Sequence, residues 1–258
     1  MNTAATMPMH YVPRSATNGT ASSMDAKNHS RPLPRSLSTI GPSEQTAVKE
    51  FDHAEAARKI KQEYTHGRKE PGARGLDCLH GLIKALMQGE PNLNEFLKTV
   101  AKAIYTQFNI KDVSICLRGQ DDVFRYATMH GMREEVWAAH RNIAYTLDQV
   151  LDPNLYKGTE ISRFTKLFLA EDNPYAESEG LTCSGHLMTT SKRRTAEESI
   201  EGDYLDVFIF GPKDEVLGWI ETSGTWDGRL PDARTIRGLE VLSSVLALAI
   251  VRSQAKRD

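Results

Sequence analysis

The spacing of apolar positions changes along the chain, and each change marks an element. The pattern is sharpest from residue 203 onward. Asp203-Tyr-Leu-Asp-Val-Phe-Ile-Phe210 predicts a strand, Gly211-Pro-Lys-Asp214 a tight turn, and Glu215-Val-Leu-Gly-Trp-Ile-Glu-Thr222 the returning strand. After a loop from Gly224 to Pro231, Ile236, Leu239, Leu242, Val245, Leu246 and Ala249 recur every three or four residues, as in an amphipathic helix. Upstream, Leu79, Leu82, Ile83, Leu86 and Met87 form a helical stripe that stops at Gly89-Glu-Pro91. A second stripe follows through Leu93, Phe96, Leu97, Val100, Ala101, Ile104 and Phe108, with Asn92 placed to cap it. The period then falls to two: Val113, Ile115 and Leu117 alternate with Asp112, Ser114 and Arg118, predicting a half-buried strand. Gly119 to Asp122 turns the chain, Val123 to Met129 returns, and Met132 to Asn142 reads as a helix with Val136, Trp137 and His140 on one side.

Between Ile143 and Glu201 the period is lost. Phe164, Leu167, Phe168, Leu169 and Tyr175 are scattered among the breakers Pro153, Gly158, Pro174 and Gly180. A short helix is expected over Arg163 to Ala170 and a strand near Leu181 to Thr190. Connections this long inside a compact domain tend to carry function.

Residues 1–42 are rich in Ser, Thr, Asn, Ala and Pro and lack an apolar stripe, so a disordered tail is expected there. Within it, Arg31-Pro-Leu-Pro-Arg35 reads as solvated chain before it reads as a polyproline docking motif. Residues 43–75 are expected to be a leader: Val48, Phe51, Ala54, Ala57, Ile60 and Tyr64 mark a thin amphipathic helix starting after Ser43 and ending before Gly67, followed by a linker over 68–75. Its stripe is too narrow for independent stability and calls for a packing partner, in the same chain or across a dimer. The compact domain is expected over 76–254.

The hydrophobic share, 40% of 258 residues, fits one packed domain with an unpacked appendage. Lys and Arg number 32 against 34 Asp and Glu, which argues against a general nucleic-acid coat. No secretory signal or transmembrane run is visible, and the cysteines Cys78, Cys116 and Cys183 form no disulfide framework. A cytoplasmic setting is the expectation.

The order helix, strand, strand, helix, variable connection, hairpin, terminal helix, with Val-Leu-Gly-Trp-Ile220 in the last strand and Leu242-Ser-Ser-Val-Leu-Ala-Leu-Ala-Ile250 in the last helix, resembles the GAF family over about Leu76 to Gln254. The stretch from Ile161 to Tyr175 is similar to one in stand-alone prokaryotic, chiefly archaeal, GAF proteins. The resemblance implies an α/β (α+β) domain: a central antiparallel sheet of five or six strands, helices packed on one face, and the variable connection capping a small-molecule pocket on the other. Relatives in that family bind cyclic nucleotides, bilins, haem or amino-acid-like metabolites, and a few are reductases. Fold alone selects none of these.

Cys183-Ser-Gly-His186 offers a thiolate and an imidazole, but it is half a zinc site and no second pair matches its spacing. In the bilin-bearing GAF domains a histidine directly follows the attachment cysteine, whereas here Ser184 and Gly185 intervene. A thiol oxidoreductase resembling the methionine-sulfoxide-reducing GAF domains would attack through Cys183 and needs a resolving partner; Cys116 reads instead as a small buried apolar residue. Lys192-Arg-Arg194 could meet a phosphate, yet with Glu197, Glu198, Glu201 and Asp203 nearby a solvated loop is the simpler reading. No phosphate-binding glycine loop or nucleophile elbow is present.

The expectation is therefore a sensory, signalling GAF-like module without catalysis of its own. Its ligand would lie against Tyr126, Tyr145, Arg163, Phe164, Tyr175, Cys183, His186 and Trp219. The alternatives are the thiol oxidoreductase and a pure protein-interaction module. A homodimer or a signalling partner is expected to read out the ligand, because Val241, Leu248 and Val251 spread apolar surface beyond the core stripe of the terminal helix.

Overall fold

The computed structural model describes residues 53–67, 71–89, 92–173 and 190–255. The expected tail lies outside these residues, as does nearly all of the strand expected over 181–190.

The helices form where the stripes place them. α1 spans His53–Gly67, within the expected leader, and leaves Ile60 68% exposed with Tyr64 similarly open. α2 spans Pro71–Gln88. It begins inside the expected linker because Pro71 takes a first-turn position, where its missing N–H costs no hydrogen bond. α3 spans Leu93–Gln107, and Asn92 caps it as expected: its Oδ1 accepts from the Asn94 N–H at 3.0 Å. Phe96, Leu97, Val100, Ala101 and Ile104 all turn inward.

β1 (Ile110–Arg118) and β2 (Phe124–His130) form the first hairpin. α4 (Glu134–His140), β3 (Ala144–Tyr145), α5 (Leu147–Leu151), β4 (Gly158–Glu160) and β5 (Thr165–Phe168) follow. β6 (Tyr204–Phe210) and β7 (Val216–Thr225) form the second hairpin, and α6 (Ala233–Gln254) closes the domain behind the Asp232 cap.

The strands make one antiparallel sheet in the order β3-β2-β1-β7-β6-β5-β4. Among the described residues its seven strands exceed the five or six that the resemblance implies. The surplus comes from short strands such as β3 and β4, whose two or three residues carry no period to read. The helix expected over Arg163–Ala170 is instead β5, with Thr165 opposite Val207 and Phe168 opposite Tyr204. Phe164, Leu167 and Phe168 fit a helical spacing as well as a strand, and pairing with β6 decides between them.

One face of the sheet packs on helices. Val113, Ile115, Leu205, Val207, Ile209, Leu217 and Ile220 join the apolar stripes of α2, α3 and α6 in a single core. Of α6, Leu239, Leu242, Leu246 and Ile250 are buried, while Val241 and Leu248 stay 48% and 47% exposed. The opposite face carries a second cluster of Cys116, Phe124, Tyr126, Phe208, Val216 and Trp219. β1 is thus buried on both faces, including Ser114, which its polarity had assigned to the open side.

Candidate functional site

The functional candidates lie on the face without the long helices, and strand register explains how they meet. Cys116 stands opposite both Tyr126 on β2 and Trp219 on β7, and Trp219 stands opposite Phe208 on β6. Directly opposed residues share a face, so these side chains form one aromatic row. The next row on this face, two residues along each strand, is polar. Ser114 pairs with Glu221, Glu221 with Asp206, and Asp206 with Lys166 on β5. A further row sets Ser223 opposite Tyr204 and Tyr204 opposite Phe168, whose rings stack at 4.4 Å.

Short loops finish the wall. Tyr145 on β3 lies edge-on to Trp219 with ring centroids 5.9 Å apart, and Tyr156 contacts Tyr145 at 6.4 Å. The capping box of Thr146 and Gln149 starts α5 immediately after β3 and so fixes where Tyr145 leaves the sheet. His140, at the end of α4, approaches the Tyr126 ring edge-on at 5.2 Å.

The polar row is sparsely paired. Tyr126 Oη donates to Glu221 Oε2 at 2.6 Å. Ser114 Oγ, Asp206 Oδ1 and Trp219 Nε1 are buried and have no hydrogen-bond partner among the described residues. Burial pushes the Asp206 carboxyl well above the usual carboxylate range; the adjacent Glu221 adds to that, and Lys166 opposes it. The Tyr126 phenol is likewise pushed up, first by burial and then by Glu221. Burial raises the Cys116 thiol, with Glu221 and Asp206 contributing, so at neutral pH it is a protonated thiol and a poor nucleophile.

The residues named from sequence separate into groups. Tyr126, Tyr145 and Trp219 come together on this face. Arg163 and Phe164 sit just before β5: the Arg163 guanidinium pairs with Asp214 and lies 5.4 Å from the Phe210 ring, and Phe164 packs toward the helix-side core. Tyr175, Cys183 and His186 lie outside the described residues. The two arginines of the basic run are committed to ion pairs: Arg193 bridges Glu171 and Asp203, and Arg194 pairs with Glu198. That arrangement agrees with the loop reading and leaves these arginines little capacity for a phosphate.

Sequence reasoning passed over Ser114, Asp206 and Glu221. The signal was present in one place, because Asp206 is the only charge within the apolar run from Tyr204 to Phe210, and such a strand buries both faces. Among the described residues no group of three His, Cys, Asp or Glu side chains gathers as a metal site. No described helix is long and apolar enough to cross a membrane.

No family model matches the sequence, and no curated protein matches it. Among solved structures, the chain is similar to the GAF domain of A. aeolicus nlh2 in an inactive state, at 14% identity and a TM-score of 0.48, covering 71% of this chain and 99% of that one. It is similar to the GAF domain of a phosphoenolpyruvate-protein phosphotransferase from Coxiella burnetii, at 14% identity and a TM-score of 0.47, covering 72% and 97%. It is also similar to the phycoerythrobilin-bound GAF domain of a cyanobacterial phytochrome, at 12% identity and a TM-score of 0.49, covering 71% and 98%. At this identity the likeness concerns fold alone.

Proposed function

We propose that the sheet face bearing Asp206, Glu221, Ser114 and Trp219 binds a small molecule, and that the protein is a sensory, regulatory module and not an enzyme. The observation that carries this reading is the set of buried polar atoms on that face that have no partner among the described residues. A buried donor or acceptor without a partner costs about 1–3 kcal/mol, and three such atoms lie on the same face of neighbouring strands here. A ligand that pairs with them offsets that cost. An apolar aromatic wall with a few convergent polar groups is the usual make-up of a small-ligand site.

In this reading Tyr126, Tyr145 and Trp219 form the wall, while Arg163 belongs to the rim near β5 and Phe164 turns to the helix-side core. Tyr175, Cys183 and His186 are candidate contacts from the connection between β5 and β6. The raised Cys116 thiol would make a poor resolving partner for thiol chemistry through Cys183. Read-out proceeds through the helix layer: Val241 and Leu248 on α6, with Ile83 and Met87 on α2, expose apolar side chains suited to a second copy or a signalling partner.

Native mass spectrometry of the full chain purified from its own host tests the reading. A discrete added mass on the wild type that is lost in Glu221→Gln supports it. A bare chain, or the same added mass on both proteins, overturns it.

A further inference from the structure

We propose that the ligand is a small organic cation, an ammonium carrying an oxygen acceptor, held between the Asp206–Glu221 carboxylates and the rings of Tyr126, Tyr145 and Trp219. This inference rests on the binding-site reading above and adds the chemical class of the ligand.

The charge balance of the face comes first. Asp206 and Glu221 are directly opposite one another on β6 and β7, a placement in which like charges destabilise a sheet. Tyr126 Oη serves one oxygen of Glu221, and Asp206 Oδ1 has no partner among the described residues. Asp206 is only 8% exposed, so water screens this repulsion poorly. Lys166, the ladder neighbour of Asp206, is the cation on hand. Its ammonium instead lies 5.6 Å from the centre of the Phe208 ring and forms no ion pair with either carboxylate. The face therefore has room for one more positive charge. A phosphate or carboxylate ligand would add a third negative group, and a neutral ligand would leave a proton on Asp206 as the only relief of the repulsion.

The aromatic geometry selects the kind of cation. Tyr126, Tyr145 and Trp219 stand nearly perpendicular in pairs, at 79°, 63° and 80°, with centroids 5.9–6.4 Å apart. Rings set at steep angles wall a corner, and an ammonium brought against a ring face there would gain cation–π attraction. A bare divalent ion gains nothing from rings and wants six or more oxygen ligands, whereas among the described residues no group of three His, Cys, Asp or Glu side chains gathers here.

The remaining unpaired atoms define the rest of the ligand. The Trp219 indole N–H can only donate, so it calls for an oxygen acceptor. Ser114 Oγ can donate or accept. Trp219 and Asp206 are diagonal neighbours on adjacent strands, so one small ligand can reach both side chains.

Among the described residues the groups facing Asp206 are Glu221, Lys166, Tyr126, Tyr204 and Cys116. Bringing a cation among them favours the ionised carboxylate, so binding releases protons from Asp206.

Isothermal titration of the full chain with choline chloride is the test, beside the neutral tert-butyl analogue of choline and calcium chloride, each in two buffers of different ionisation enthalpy. Choline is expected to bind about tenfold or more tighter than its neutral analogue, with proton release. Glu221→Gln and Asp206→Asn, each checked for a cooperative melt, are expected to weaken choline and not the analogue. Equal binding of choline and the analogue, or binding of calcium alone, overturns the cation class. If choline fails while mass spectrometry finds a ligand that depends on Glu221, the class falls and the site stands. If neither method finds a ligand, both fall.

Discussion

Tyr126 on β2 reaches across β1 to hydrogen-bond Glu221 on β7, Oη to Oε2 at 2.6 Å. The bond ties three strands together on the face that lacks long helices, and it holds one carboxylate of the polar row in a fixed direction. Hydrogen bonds to charged groups contribute about 1.5–3 kcal/mol. Tyr126→Phe keeps the ring and removes only the donor, so we expect a loss of about 2 kcal/mol. A lower urea midpoint with an unchanged denaturant slope would show this. An unchanged midpoint would mean that Glu221 finds other partners without cost.

Asp206 gives the folded chain a distinctive pH response. Its carboxyl is raised in the fold by burial and by Glu221, so the folded chain keeps a proton over a range in which the unfolded chain has lost it. The contribution is fully present below the unfolded value of about 3.9 and is lost as pH rises through the raised folded value. Asp206→Asn is neutral throughout, so its stability relative to wild type should climb as pH rises from about 4. Urea midpoints of both proteins along a pH series measure the difference. A difference that stays constant with pH would refute the ionisation account.

Gly218 is the position where the sheet is least tolerant. A Cβ there would lie 2.1 Å from the Cys116 carbonyl oxygen, a backbone atom that cannot step aside. Gly218 sits in the middle of the sheet, opposite Leu117 on β1 and Ile209 on β6. Gly218→Ala should therefore destabilise by more than about 2 kcal/mol, in the range of overpacked interiors. Thermal unfolding would settle the point, and a melt within a degree of wild type would contradict the steric reading.

Much of the fold could be read from the chain because its long elements bury one consistent face. The stripes of α3 and α6 and the β6–β7 hairpin repeat over enough residues for the period to be unmistakable, and Asn92 caps α3 where its side chain predicts. What escaped notice depends on partners far away in sequence. Thr165 to Phe168 becomes a strand only because β6 lies beside it, and β3 is too short to show any period. The site divides in the same way. Tyr126, Tyr145 and Trp219 were visible as aromatic residues near the expected pocket. Ser114 looked like the open side of a half-buried strand and Glu221 drew no reading at all, and they acquire meaning only when register brings them opposite each other.

The helix layer makes a separate prediction. Val241 and Leu248, seven residues apart on α6, present half-exposed apolar side chains on the same side of the helix. Pairing of two copies along this stripe would bury them. Wild type should sediment as a concentration-dependent monomer–dimer mixture, and Leu248→Glu as a monomer with an unchanged fold. A monomer at every concentration in both proteins would end the dimer proposal.

The most direct test of the binding-site account is a thermal-shift screen of the full chain against organic cations, anions and neutral metabolites, with the Asp206→Asn/Glu221→Gln double variant alongside. A ligand at 100-fold its dissociation constant adds about 2.7 kcal/mol, which for a domain of this size raises the melting temperature by roughly 5–10 °C. The account predicts shifts of that order for ammonium compounds with wild type and their loss in the double variant. No shift from any compound, or equal shifts in both proteins, would contradict it.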